Sequence, residues 1–358
     1  MPQTVAFTAP REVGLADVEV QPLEPGTVRV RTWYSGVSAG TELTAYRGTN
    51  PYLTGTWDPR ERLFLPGTPT FAYPVEGWGY SEVGEVVEVA PDAADRWSVG
   101  QVVYGIWGHR SEAVVPVERL RGTLAPEAAL TGTFARVGAV ALNAVLAADV
   151  SLGDRVAVFG QGVIGLIATR LAVLSGAEVV AVDALPARLD HARDLGATHV
   201  VDARVEGGAG AVVHRWSDGG VDSAIELSGV VPALHEAVRS VVVEGTVVAS
   251  GFYQGGAEAL RLGEEFHHNR VRIVASQISG TPVALGRRWD QARLVSTVMG
   301  LVAAGRLDVL PLVTDVVDAA DVGEVFARLD AGDPTILQAV LRFPAAPART
   351  SAAPGLAA

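Results

Sequence analysis

The chain contains no cysteine. That single absence removes disulfides, a cysteine nucleophile and every thiolate metal site. Basic residues are also scarce, with 28 Lys and Arg against 40 Asp and Glu, a net charge of -12 and a pI near 5.1. A nucleic-acid partner needs a basic face, so none is expected. No charged-then-apolar leader precedes the first strand, and no run of about 18 uncharged apolar residues offers a membrane span. The apolar segment from Ala139 to Val150 is too short. A soluble cytoplasmic protein with no membrane partner is therefore expected. What remains is a globular composition, 49% hydrophobic and 19% charged, in 358 residues, enough for two domains.

The most informative stretch runs from Arg155 to Asp183. Arg155 to Phe159 is a β-branched run suited to a buried parallel strand, and it enters Gly160-Gln161-Gly162-Val163-Ile164-Gly165, a G-x-G-x-x-G turn. Helical spacing follows from Leu166 to Leu174, then a second strand from Glu178 to Val182 that ends in Asp183. Gly160 permits the tight turn, Gly162 lets backbone N–H groups approach a pyrophosphate, and Gly165 allows close helix packing. The anion would sit on the helix N-terminus, where Val163 and Ile164 offer unpaired N–H groups. Asp183, 23 positions after Gly160, is placed to meet the adenosine ribose. Its charge favours NAD(H); Arg188, five residues on, keeps NADP(H) open.

Before this unit, residues 1 to about 135 read as all-β. Thr4–Phe7, Leu15–Val20, Thr27–Trp33, Gly84–Val89, Gln101–Tyr104 and Glu112–Pro116 are strand candidates, with a long aromatic-rich loop from Tyr46 to Tyr80. An apolar helix from Ala128 to Leu146 leads into the alternating part. There, strands through Val271–Ala275 make six, which fits a doubly wound parallel (Rossmann) sheet with its ligand crevice at the strands' carboxyl ends. Ser228, and Ser250-Gly251-Phe252, fall at two such ends and are further coenzyme candidates. A helix from Asp290, a strand from Val309 to Thr314, a helix from Asp321 and a strand from Gln338 return to the first domain. The expected division is 1–135 with 283–344, an inserted 136–282, and a disordered Ala- and Pro-rich tail, 345–358. The Arg270–Ser276 strand at the sheet edge leads to an expected homodimer or homotetramer.

This arrangement resembles the medium-chain dehydrogenase/reductase family over roughly residues 1–344. The resemblance implies an α/β chain with a chaperonin-10-like β domain and an inserted Rossmann domain. Gly36-Val37-Ser38-Ala39-Gly40-Thr41-Glu42 stands where that family often has Gly-Ile-Cys-Gly-Thr-Asp, so the zinc-ligand cysteine maps to Ser38 or Ala39. Gly79-Tyr80-Ser81-Glu82 stands where it has Gly-His-Glu, so Tyr80 replaces the histidine ligand. The four-cysteine structural zinc lobe is missing as well. No metal site is expected, and hence a zinc-independent enzyme. The wording is most similar to bacteriochlorophyllide side-chain alcohol dehydrogenases, a branch with many secondary-metabolism members; the tetrapyrrole substrate is not carried over.

Without zinc, hydroxyls, carboxylates and imidazoles must polarise the substrate oxygen and move its proton. Tyr80 is the candidate donor, Thr41 the relay that the resemblance implies, and Glu42 an orienting or accepting group. Tyr80 as a volume filler, and Thr41 and Glu42 as helix-capping residues, are the structural alternatives. His109, in Trp107-Gly108-His109, is a candidate acid or base, or a solvated loop residue. Trp57, Trp78 and Trp107 are candidate walls of a roomy apolar pocket for a small-molecule substrate, with ordinary core as the alternative. His267 and His268 read as surface or interface residues. The expected reaction interconverts a secondary alcohol and a ketone on a bulky, cyclic molecule. A reductase of activated C=C bonds and a non-catalytic coenzyme-binding protein are the rivals.

Overall fold

The structure, a computed structural model, describes residues 1–347. It opens with β1 (Gln3–Ala9), β2 (Glu12–Asp17), β3 (Thr27–Gly36) and helix α1 (Ala39–Arg47). β4 (Gly55–Asp58), β5 (Leu63–Pro66), β6 (Val75–Glu76), β7 (Glu82–Val89), β8 (Val102–Gly105), β9 (Glu112–Pro116) and β10 (Leu120–Leu124) follow. A 3-10 segment, Pro126–Phe134, then runs into α2 (Ala135–Ala147). The alternating part comprises β11 (Arg155–Phe159), α3 (Val163–Leu174), β12 (Glu178–Asp183), α4 (Pro186–Asp194), β13 (His199–Asp202), α5 (Ala209–Trp216), β14 (Val221–Glu226), α6 (Val231–Ser240), β15 (Val241–Ala249) and β16 (Arg272–Ala275). The chain closes with α7 (Gln291–Ala303), β17 (Val313–Asp318), α8 (Val322–Asp330) and β18 (Gln338–Arg342).

The six strands of the alternating part form one wholly parallel sheet in the order β13-β12-β11-β14-β15-β16. The order reverses beside β11, so a crevice opens at the carboxyl ends of β11 and β14, where the glycine turn lies. Val156, Ala157, Val158 and Phe159 are fully buried on both faces of the sheet, which explains why the strand reads as a continuous apolar run. In the other domain β18 pairs antiparallel with β3 and parallel with β17, so the end of the chain does return to the first sheet.

Several expectations are corrected. The Tyr46–Tyr80 segment is not one loop: it holds the β4–β5 hairpin, in which Trp57 pairs with Phe64 across the strands. The strand expected at Val309–Thr314 begins at Val313, because Leu310–Leu312 is a 3-10 turn with Pro311 in its first turn. Among the described residues one stretch, Pro126–Ala147, is long and apolar enough by composition to cross a membrane, although Glu127 and Arg136 interrupt it. It is 78% buried and packs on α3 and α7 as a core helix. Residues 345–347 follow the last strand as turn and coil, and the rest of the expected tail, 348–358, lies outside the described residues.

Candidate active site

A cavity of about 650 Å³ lies between the two domains. Gly160, Gly162, Val163, Ile164, Gly165, Asp183, Arg188 and Ser228 all line it from the parallel sheet. Val37, Ser38, Ala39 and Gly40 close it from the first domain, together with Leu337 and Gln338. Gly160 has φ +86°, a left-handed conformation that disfavours a side chain, and a Cβ on Gly165 would sit 1.8 Å from the Gly160 carbonyl oxygen. A Cβ on Gly162, by contrast, would meet nothing within 4 Å. That open space sits at the N-terminus of α3, whose first-turn N–H groups have no side-chain cap and could take an anion. These residues fit the pyrophosphate of a dinucleotide.

At the adenosine end, Asp183 accepts from Gln161 N at 2.6 Å through one carboxylate oxygen and from Leu185 N at 2.8 Å through the other. The carboxylate thus braces the turn while still lining the cavity, with lone pairs left over on both oxygens. Arg188 Nε is buried without a hydrogen-bond partner.

Ser250, Gly251 and Phe252 do not line the cavity. Ser250 Oγ donates to the Ser276 carbonyl at 3.3 Å, Gly251 packs against Gly229, and Phe252 is 46% exposed. Their loop is tied to the 228–229 turn by Glu226, a buried carboxylate that sequence reading passed over. Glu226 accepts from Ser228 N at 2.7 Å, from Gly229 N at 3.2 Å and from the Tyr253 hydroxyl. Burial raises its pKa, and the hydrogen bonds from Ser228, Tyr253 and Gly229 act the other way.

On the first domain, Ser38 is the N-cap residue of α1, and its hydroxyl is hydrogen-bonded to the Tyr80 hydroxyl. Ser38, one of the two positions the resemblance offers for the ligand cysteine, and Tyr80, at the histidine position, therefore carry hydroxyls that satisfy each other. Tyr80 is set back from the main cavity and reaches it through Ser38. Burial pushes the Tyr80 phenol up; the Ser38 and Thr41 hydrogen bonds oppose this, the charge of Glu42 adds to it and that of Arg136 opposes it.

Glu42 and His109 are fully buried and off the cavity lining, so His109 is neither solvated nor a pocket wall. Glu42 Oε1 accepts from Ser38 N at 3.0 Å, closing the start of α1, while Oε2 meets His109 Nε2 at 2.8 Å. His109 Nδ1 lies 2.6 Å from Ser35 Oγ, which in turn donates to Glu82 at 3.2 Å. Glu82 also accepts from Trp107 N at 2.7 Å and Ser81 N at 3.0 Å. Burial disfavours the imidazolium, but Glu42 and Glu82 more than offset it, and the His109 pKa ends above the ordinary 6.5. Burial dominates at Glu82 and raises its pKa despite His109 and three backbone N–H groups. With both ring nitrogens engaged, His109 has no lone pair free for a metal.

The tryptophans do not form pocket walls. Trp107 is buried and its indole N–H donates to Thr32 Oγ1 at 2.9 Å; Trp78 packs edge-on to Phe7 and Phe71; Trp57 sits on the exposed hairpin. Among the described residues, His235, Glu264 and Glu265 form the one group of three whose ligand atoms converge, and none lines the cavity. His267 and His268 are exposed.

Residues 163–292 match the family model described as zinc-binding dehydrogenase. The chain is 29% identical over 330 residues, 90% of its length and 94% of the relative, to D-guloside 3-dehydrogenase of Escherichia coli (strain K12). It is 24% identical over 351 residues to 2-desacetyl-2-hydroxyethyl bacteriochlorophyllide A dehydrogenase of Cereibacter sphaeroides, covering 94% of this chain and 96% of that one. The solved 2R,3R-butanediol dehydrogenase from Bacillus subtilis superposes with a TM-score of 0.76 at 23% identity, over 96% and 99% of the two chains, a likeness of fold. The chain thus has the two-domain α/β fold of medium-chain dehydrogenases, and its sequence is similar to zinc-binding-type dehydrogenases.

Proposed function

We propose that this protein is an NAD(H)-preferring dehydrogenase that interconverts a secondary alcohol and a ketone on a bulky, cyclic small molecule, without zinc. The carrying observation is the cavity itself, which runs from the glycine turn and Asp183 to a serine hydroxyl paired with Tyr80. The named activities of the relatives, oxidations of a guloside and of a hydroxyethyl side chain, supply the alcohol–ketone chemistry. A bound nicotinamide would exchange a hydride with the carbinol carbon.

The chain's own residues then have three tasks. Gly160 to Gly165 hold the pyrophosphate on α3, and Asp183 accepts from the ribose hydroxyls. Ser38 holds the substrate oxygen and passes its proton to or from Tyr80, with Thr41 beside them as relay. Glu42 and His109 fix the start of α1, and through it the position of Ser38. A zinc ion is left out because hydroxyls are poor ligands for it, whereas imidazole, thiolate and carboxylate are good ones.

The unpaired Arg188 Nε in the same cavity favours one second reading, an NADP(H)-dependent C=C reductase. The two separate on coenzyme preference. Fluorescence titration with NADH and NADPH, followed by turnover on cyclic polyols, ketones and enones, is the test. Tighter NADH binding with alcohol or ketone turnover supports the proposal. An NADPH preference with enone turnover supports the second reading, and coenzyme binding with no turnover on any of these makes the protein a non-catalytic binder.

A further inference from the structure

Tyr80 lines a second, narrow cleft, bounded by Gly105 and Ile106, the start of α2 and the start of α7. Two guanidinium groups, those of Arg121 and Arg136, share it. The chain has no lysine, so arginine is its only permanently charged side-chain cation. Eleven of its 28 arginines are ion-paired with acids among the described residues, and these two like charges share one cleft without such a partner. Arg136 Nη1 donates to the neutral Gln291 oxygen at 3.2 Å, and Arg121 Nη1 to the Glu118 carbonyl at 3.3 Å. Among the described residues neither has a carboxylate within ion-pair distance.

Two neighbouring cations without acids, in a protein of net charge -12, need an explanation. One explanation is an acidic group on the substrate. The cleft's volume, about 10 Å³, decides against it, since that is room for no more than a water molecule. The other is a negative charge that forms on the protein during reaction. Among the residues lining the cleft, Tyr80 is the one with an acidic group able to carry it.

We propose that Arg136 is the fixed cation that stabilises Tyr80 as a phenolate while Tyr80 supplies the proton for ketone reduction. The inference rests on the dehydrogenase reading above. As the carbonyl carbon gains a hydride from reduced nicotinamide, Ser38 gives its hydroxyl proton to the substrate oxygen and takes the proton of Tyr80. The broken O–H pair stays on Tyr80 Oη, facing Arg136. Alcohol oxidation runs the same transfers backwards. Arg136 acts through Tyr80, so it is a positioning residue and not a catalytic one. The groups facing Tyr80 are Ser38, Thr41 and Glu42 of α1 and Arg136 of α2, with Arg121 of β10 behind. Burial lowers the Arg136 pKa, the Tyr80 oxygen opposes this and the neighbouring Arg121 adds to it.

The test is a fluorotyrosine incorporated in place of Tyr80 in the full chain, its ionisation followed by fluorine NMR against pH. Arg136→Gln is expected to raise the midpoint by about one pH unit or more, and Arg136→Lys to restore most of it. Arg136→Met, which keeps the packed stem without the charge, serves if the glutamine variant does not fold. Turnover should fall roughly tenfold or more with unchanged coenzyme affinity. An unchanged midpoint without the cation overturns the proposal. So does an equal rise in Arg136→Lys, which would mean loss of shape and not of charge. The resonance is read without turnover, so an inactive protein defeats the dehydrogenase reading while this test still gives its answer.

Discussion

The decisive residues are those that replace charge with hydroxyls at the cavity and move charge behind it. Ser38 and Tyr80 touch each other, whereas Glu42, His109, Ser35 and Glu82 form a closed set under α1. Ser38→Ala or Tyr80→Phe is therefore expected to lower kcat roughly a hundredfold and leave NADH affinity unchanged, as steady-state kinetics and fluorescence titration would reveal. His109→Leu would leave two buried carboxylates without their cation, at a cost of about 3–5 kcal/mol in a denaturant titration. The same residue sets a pH dependence. Because its folded pKa lies above the unfolded 6.5, the stability it contributes is full below 6.5 and is lost as pH rises through the folded value. Glu82, raised above 4.5, acts in the same direction over its own window. Thermal unfolding should thus show Tm falling as pH is raised through and above 6.5 in the native protein, with a shallower fall in His109→Gln.

At the scale of elements, the strand–turn–helix β11–α3 was readable because all of its physics is local. A β-branched run, three glycines and a helical period occupy 20 consecutive residues, 155–174. Gly165→Ala should disrupt the unit, since its Cβ would overlap the Gly160 carbonyl, whereas Gly162→Val should fold and lose coenzyme binding. Calorimetry paired with NADH titration separates the two outcomes. What could not be read from local pattern is the buried network. Ser35, Glu42, Glu82 and His109 come from β3, α1, β7 and the loop before β9, and only pairing of β3 with β7 and β9 brings them together. His109 looked like a solvated loop residue for the same reason. Trp78 and Trp107 sit in glycine-rich turns by sequence, yet the turns are folded inward and the indoles fill core. The exposed β4–β5 hairpin escaped notice because its strands are only four residues each, within a segment dominated by turn formers.

At the scale of the whole molecule, the interdomain cavity exists because the chain leaves the first sheet after α2 and rejoins it at β17 and β18. Ser38 faces the glycine turn across that return. The parallel sheet keeps an open edge at β16, where Val274 is 36% exposed. Pairing of this edge with a second copy is proposed; Val274→Lys should shift sedimentation toward the monomer without loss of helix content. The broadest claim is that a dinucleotide reacts across this cleft with hydroxyls, and no metal, at the substrate oxygen. The most direct measurement is the turnover number with NADH of one preparation, exhaustively chelated and then reloaded with zinc. Equal rates before and after reloading, with no stoichiometric metal retained, are expected. Activity that vanishes on chelation and returns only with zinc would contradict it.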